Sequence, residues 1–342
     1  VSEAVSRVEA QLAAFWSATA DESGALKARA TTMNFVVASV PSEVDAVRSA
    51  IEDLSQTRAG RSFLMTVDGH KAPWELDSDV SAVCHKEGET VVCYDRIELS
   101  FGAMAAARAP SVLSALALSE VPTILEIARG APAVLTDGLA RRADRVIVDS
   151  SHTGVMRIAE IAGKTAAPLA DRAFVRTFSW REFVARFFDE APGAERSIGR
   201  VEIERSGDGY KDPAALLLGW LASRLGWRFE SAARAVDAAG MPIDIEVRGA
   251  GAGLPPGEIA AVRVITALDQ RPLFCACERR GAERVVRWSM AGPRSARYEH
   301  PIGFRDEGWV LGKAIDGVEG DRVYRAALLA AADWARFLEV ER

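Results

Sequence analysis

The chain has 342 residues, 49% of them apolar and 26% charged, with a net charge of −6. That length and composition suit two domains with substantial cores, and the mild acidic excess argues against nucleic acid or an anionic membrane as the main partner. Four cysteines are too few for a disulfide scaffold, so a reducing cytoplasm is the expected location.

The first residues carry Glu3 and Glu9 where a secretory leader would be basic. Val5, Val8, Leu12 and Phe15 recur at helical spacing, which predicts an amphipathic helix. MNFVVASV (33–40) reads as a buried strand, and Pro41 and Ser42 then open a helix whose Val44, Val47, Ile51 and Leu54 share a face. RSFLMTVDG (61–69) is a second strand, and 80–100 reads as a hairpin. TILEIA (123–128), a helical 132–143, RVIVDSS (145–151) and a helical 154–163 continue the alternation. Strands separated by helices form parallel sheets with helices on their faces. The expected class is α/β: an N-terminal domain over 1–170 with a mostly parallel sheet flanked by helices, plus the β-hairpin.

A domain boundary is expected near 165–175, around GKTAAPLADR, and the rhythm changes beyond it. SWREFVARFFDE (179–190) opens as a capping box with Ser179 and Glu182. PAALLLGWLAS (213–223), the longest apolar run, is about half of what a bilayer crossing needs. GRVEIERS (199–206) and PIDIEVRG (242–249) alternate apolar with charged residues, the pattern of strands with one wet face, normally antiparallel. AVRVITALD, PLFCACER and RVVRWSM follow as a meander, and a helix over 321–340 with Asp321 as cap closes the chain. This predicts a C-terminal α+β domain with an antiparallel sheet over 171–342.

Chemistry is sparse. The histidines are His70, His85, His152 and His300, and no metalloprotease motif, serine elbow or P-loop accompanies them. GAGAGLPPG (249–257) is a Gly/Pro loop rather than a dinucleotide fingerprint. No catalytic residue, metal site or cofactor is expected. In DSSHTG, Ser150, Ser151, His152 and Thr153 lie between a strand and a helix, where helix amides point at anions. They either hold a phosphate, as in a sugar-phosphate- or nucleotide-binding enzyme or sensor, or simply cap the helix. Trp220, Arg224 and Trp227 fall four and three apart and share a helical face with the composition of an interface hot spot. The competing reading is a helix buried all round.

Cys84 and Cys93 lie in VCHKEGETVVC. A two-residue turn at Gly88-Glu89 would place Glu87 opposite Thr90, Lys86 opposite Val91, His85 opposite Val92 and Cys84 opposite Cys93. The cysteines would then form a non-hydrogen-bonded pair with α-carbons about 4.5 Å apart, close enough for a disulfide. They are either a redox pair or two small apolar residues on a sheet face. Cys275 and Cys277, at strand spacing in the other domain, read as core.

ATTMNFVVASV, VSAVCHKEGETVVCYDRIELSFG, LARRADRVIVDSS, TFSWREFVARFFD and ALLLGWLASRLGW, in this order over roughly 30 to 230, resemble the motifs of the OpcA family of glucose-6-phosphate dehydrogenase assembly proteins. The resemblance implies a non-catalytic partner that binds glucose-6-phosphate dehydrogenase and favours its active oligomer, an allosteric activator at the entry to the oxidative pentose phosphate pathway. It also implies an association with thiol-dependent control, which gives the hairpin cysteines a role. One segment departs from the family pattern. VPTILEIARG keeps Arg129 and Gly130 but lacks the family's paired tryptophans and carries Glu126.

Overall fold

The computed structural model describes residues 2–17, 27–29, 31–55, 58, 60–87, 90–206, 212–250, 258–268, 271–279, 285–292, 295–301, 307–317 and 320–340. By contacts the chain divides into two units, Val1–Asp149 with Ile161–Ala170, and Ser150–Glu160 with Asp171–Arg342. The chain thus makes an excursion into the second unit at 150–160 before it crosses near 170, which composition does not signal.

Along the first stretch lie α1 (Ser2–Ser17), β1 (Lys27–Arg29), β2 (Asn34–Ser39), α2 (Val44–Ser55), β3 (Arg61–Val67), β4 (Leu76–Glu87) and β5 (Thr90–Phe101). There follow α3 (Ala109–Leu116), β6 (Thr123–Ile127), α4 (Ala133–Ala140), β7 (Arg145–Val148), α5 (Ser150–Thr153), α6 (Val155–Lys164) and β8 (Leu169–Asp171). The sheet of the first unit runs β5-β3-β2-β6-β7-β8, with β1 and β4 both on β5. β2, β3, β5, β6 and β7 pair in parallel, and β4 pairs antiparallel with β5 as the hairpin. With β1 and β4 set aside, the order by chain position is third, second, first, fourth, fifth, sixth, the arrangement of doubly wound dinucleotide-binding sheets. β2 and most of β3 are buried along their length, as strands covered on both faces must be.

Two polar anchors fix this unit. Buried Asn34 donates to Leu118 O (2.8 Å) and accepts from the Leu118 N–H (2.9 Å), which ties the start of β2 to the segment after α3. Arg61 on β3 pairs with Asp95 on β5 at 2.9 Å, both buried, and also donates to Leu116 O. The Trp16 indole of α1 donates to the other Asp95 oxygen at 2.7 Å.

The second unit continues with α7 (Arg172–Arg176), α8 (Phe178–Glu190), β9 (Arg200–Ser206), α9 (Asp212–Leu225), β10 (Arg228–Ser231), β11 (Arg234–Val236), β12 (Pro242–Ala250) and β13 (Ile259–Leu268). Next come β14 (Arg271–Arg279), β15 (Val285–Ala291), β16 (Ala296–Pro301), α10 (Glu307–Asp316) and α11 (Asp321–Val340). Its sheet runs β10-β11-β12-β9-β13-β14-β15-β16 and is antiparallel except for the parallel pair β9–β12. The apolar positions of β9 are buried, and its charged ones join an ion-pair ladder. Arg263 reaches Glu204 (2.7 Å) and Glu278 (2.6 Å), and Arg248 also pairs with Glu204. α9 is buried along most of its length and packs on α11.

Two predicted caps differ. α8 carries no side-chain cap, because α7 leads into it through Thr177 and Ser179 falls inside the first turn. The Thr177 hydroxyl instead donates to Phe174 O and accepts from Arg181. Asp321 is the first residue of α11, and its carboxylate accepts from Arg325 one turn on (2.9 Å).

The ladder should make the second unit acid-sensitive. The hydrogen bond from Arg263, reinforced by Arg248, holds Glu204 below its ordinary 4.5. A depressed carboxylate contributes stability above its unfolded value, and this is lost as pH falls through the lower folded value. Urea unfolding of Glu204→Gln should therefore show a smaller drop in midpoint between pH 7 and acid than the unsubstituted chain; equal drops would remove Glu204 as a contributor.

Candidate functional site

The 149–154 turn follows β7, the chain's second-last strand of the first sheet. Ser150–Thr153 forms the single turn α5, Gly154 with φ +84 reverses the backbone, and α6 begins at Val155. Ser150 is fully buried, Ser151 and Thr153 are half-buried and His152 is exposed. The head of α5 already holds a negative charge: the Ser150 N–H donates to Asp171 Oδ1 (3.1 Å). That same oxygen accepts from the Ala173 N–H at the head of α7 (2.9 Å), and Tyr324 O–H donates to Asp171 Oδ2 (3.0 Å). At the head of α6 the Val155 N–H donates to Asp212 Oδ1 (2.9 Å). The chain's own carboxylates therefore occupy positions a phosphate would take, and their charge opposes a second anion. Asp171 and Asp212 thus accept from amides at the heads of α5 and α6. Each of these aspartates stands at the start of a helical run, which is the signal that could have found them.

The strand order also directs attention to the carboxyl ends of β2 and β6, where doubly wound sheets take dinucleotides. The residues there do not fit one. The turn after β2 reads Ser39-Val40-Pro41-Ser42-Glu43, with no glycine to let a pyrophosphate approach and with Pro41 lacking an N–H. Glu43 and Asp45 add negative charge at the head of α2. The Ser39 hydroxyl is buried without a hydrogen-bond partner, yet a hydroxyl alone supplies none of this cradle. Asp68, just past β3, accepts from the His70 N–H (2.9 Å) as a local turn. An open concavity of about 520 Å³ lies at the opposite edge, lined by Ala140, Arg141, Asp144 and Thr165 among others.

The tryptophan helix is corrected in one respect. α9 ends at Leu225, and Gly226 with φ +70 turns the chain so that Trp227 N–H closes back on Ala222 O (3.0 Å). Trp227 is thus off the helix and only 8% exposed, while Trp220 is half-buried and Arg224 exposed. The face with two free indoles is not formed. Cys84 and Cys93 are paired in register and joined by a disulfide, with α-carbons 4.1 Å apart. Glu87 lies opposite Thr90, Lys86 opposite Val91 and His85 opposite Val92, as the arithmetic requires. The Gly88-Glu89 turn itself and the 251–257 part of the Gly/Pro loop lie outside the described residues. Cys275 and Cys277 are buried on β14, where the hydrogen bond between the Cys277 thiol and Cys275, together with burial, pushes the Cys277 thiol well up. Among the described residues no group of three or more His, Cys, Asp or Glu is placed to hold a metal, and no helix is long and apolar enough to cross a membrane.

Sequence models of two domains of one family match the chain in order. The N-terminal domain of the glucose-6-phosphate dehydrogenase subunit OpcA matches residues 51–162, and its C-terminal domain matches 167–328. The chain belongs to the OpcA family. A protein of Nostoc punctiforme described as an OxPP cycle protein OpcA is 33% identical over 165 residues, 45% of this chain and 35% of that protein. Its counterpart in Synechocystis is 29% identical over 164 residues, 44% of this chain and 34% of the relative. These matches span about a third of the length of the OpcA proteins concerned. Among solved structures, the 3-ketoreductase KijD10 of Actinomadura kijaniata aligns over 91% of this chain and 98% of its own, with 9% identity and a TM-score of 0.45. An oxidoreductase of Thermotoga maritima aligns over 90% and 95%, with 9% identity and a TM-score of 0.44.

The segment that departs from the OpcA pattern is β6. It lies between β2 and β7, so both its edges are hydrogen-bonded and no strand edge is offered to a partner. Arg129 and Gly130 follow its carboxyl end exposed, with Gly130 at φ +74.

Proposed function

We propose that this chain is a non-catalytic assembly factor that binds glucose-6-phosphate dehydrogenase and favours its active oligomer. The observation that carries the reading is the ordered match to both domains of the OpcA glucose-6-phosphate dehydrogenase subunit. The site geometry agrees with it. Own carboxylates cap the 149–154 turn, and the switch point lacks a phosphate cradle, so both places favoured for a small ligand are ill suited to one. An assembly factor needs only to bind the active oligomer more tightly than the inactive form, and a tenfold preference is about 1.4 kcal/mol.

The disulfide is the natural regulatory element of this reading. It joins the edge strand β4 to β5, with Cys84 exposed, so a dithiol can reach it, and two-electron reduction would yield two thiols.

The test is sedimentation and steady-state kinetics of the dehydrogenase with and without the full chain, each with and without a dithiol reductant. Addition of the chain should shift the enzyme to a larger species and lower its KM, and reduction should change the size of that effect. Unchanged assembly and kinetics, or turnover of a metabolite by the chain alone, would overturn the proposal.

A further inference from the structure

The carboxyl edge of the first sheet carries an exposed aromatic feature. The 68–75 loop joins β3 to β4, and 102–108 follows β5, so both emerge at the edge where β2 and β3 end. Trp74 is 60% exposed on the first loop, and Met104 is 51% exposed on the second. The Arg108 guanidinium lies over the Trp74 ring, 5.0 Å from its centroid. Exposed Ala72, Pro73, Ala103 and Ala107 surround them.

This arrangement is built rather than loose. The amides of Met104 and Ala105 both donate to Pro73 O (2.8 and 2.9 Å), and Gly102 N–H donates to Glu75 O (2.8 Å). A Cβ at Gly102 would collide with the carbonyl oxygens of Ala72 and Pro73, so the loops meet backbone to backbone. Glu75 closes the turn by accepting from the Ala72 N–H (3.1 Å). An indole held this way loses little conformational freedom on binding. Trp, Met and Arg are the residue types enriched at interface cores.

Charge sets the chemistry that a partner for the patch must offer. Nearby Lys71 is neutralised by Glu75 and Asp77, whereas Arg108 has no carboxylate partner among the described residues. We propose that Trp74, Met104 and Arg108 form a docking surface for the dehydrogenase, whose complementary face offers an apolar recess for the indole flanked by an Asp or Glu carboxylate for Arg108. The inference rests on the proposed function for the identity of the partner.

The test uses the full chain and measures its affinity for the dehydrogenase, with thermal melts to check each variant. Trp74→Ala should weaken binding at least tenfold without shifting the melt, since the ring covers no core. Arg108→Glu should weaken it as much, and Arg108→Ala should flatten its salt dependence. If the unsubstituted chain does not bind, the proposed function fails. If it binds and the Trp74 and Arg108 variants bind within twofold of it, the docking surface is wrong and the function stands. If the variants instead abolish self-association in sedimentation while dehydrogenase affinity holds, the patch joins two copies of this chain and the proposal is overturned.

Discussion

Asp95→Ala should destabilise the first unit by about 3–5 kcal/mol, a large share of the ~5–15 kcal/mol that keeps a domain folded. The side chains of Asp95 and Arg61 are only 1% and 9% exposed. Removing the carboxylate leaves a guanidinium without its counter-charge in the interior and takes the acceptor from the Trp16 indole. Asp95→Asn separates the two effects, because the amide oxygen can still accept from Trp16 while the charge is lost; most of the penalty should remain. The double change Arg61→Met with Asp95→Leu should recover much of it, since a buried pair contributes little beyond a well-packed apolar replacement. Urea unfolding followed by circular dichroism reads all three. A loss below ~1 kcal/mol in Asp95→Ala would show that the pair does not anchor β3 to β5.

What the sequence revealed of this architecture depended on how local the signal was. β2 and β3 were readable because strands covered on both faces are apolar runs, and the register of β4 on β5 followed from counting outward from a turn. α11 occupies the 321–340 span expected for the closing helix. The parallel pairing of β9 with β12 was hidden, because alternation reports a wet face and says nothing of strand direction. The excursion of 150–160 was hidden too, since the strand–helix rhythm simply continues through it.

The candidate site followed the same rule. The 149–154 turn was visible as a strand-to-helix junction, but its charge environment comes from Asp171, Asp212 and Tyr324, which are distant in sequence. Trp227 was misplaced for a local reason: Gly226 is a helix stop, and spacing counted across it no longer describes a helix. Trp74 carries no periodic signal at all. Its exposure arises because two loops lock against each other through Gly102, which only the folded backbone shows.

Gly219→Val should be the most damaging single change in the second unit. A Cβ at 219 would overlap the Ala327 carbonyl oxygen and come 2.6 Å from the Ala331 amide nitrogen and 2.9 Å from the Ala331 Cβ, all on α11. Two of those atoms are backbone, so no rotamer change relieves the clash and the helices must separate along a crossing that is otherwise buried. Even Gly219→Ala should lose about 1–3 kcal/mol to overpacking, although alanine favours a helix interior by roughly 1 kcal/mol over glycine. Gly163 in α6 is the control: a Cβ there meets nothing within 4 Å, so Gly163→Ala should gain about 0.5–1 kcal/mol. Opposite signs for the two alanines in denaturant unfolding, with hydrogen-exchange protection falling in α9 and α11 together only at 219, are the expected pattern. If Gly219→Ala gains as Gly163→Ala does, α9 and α11 do not approach closely enough for glycine to be required.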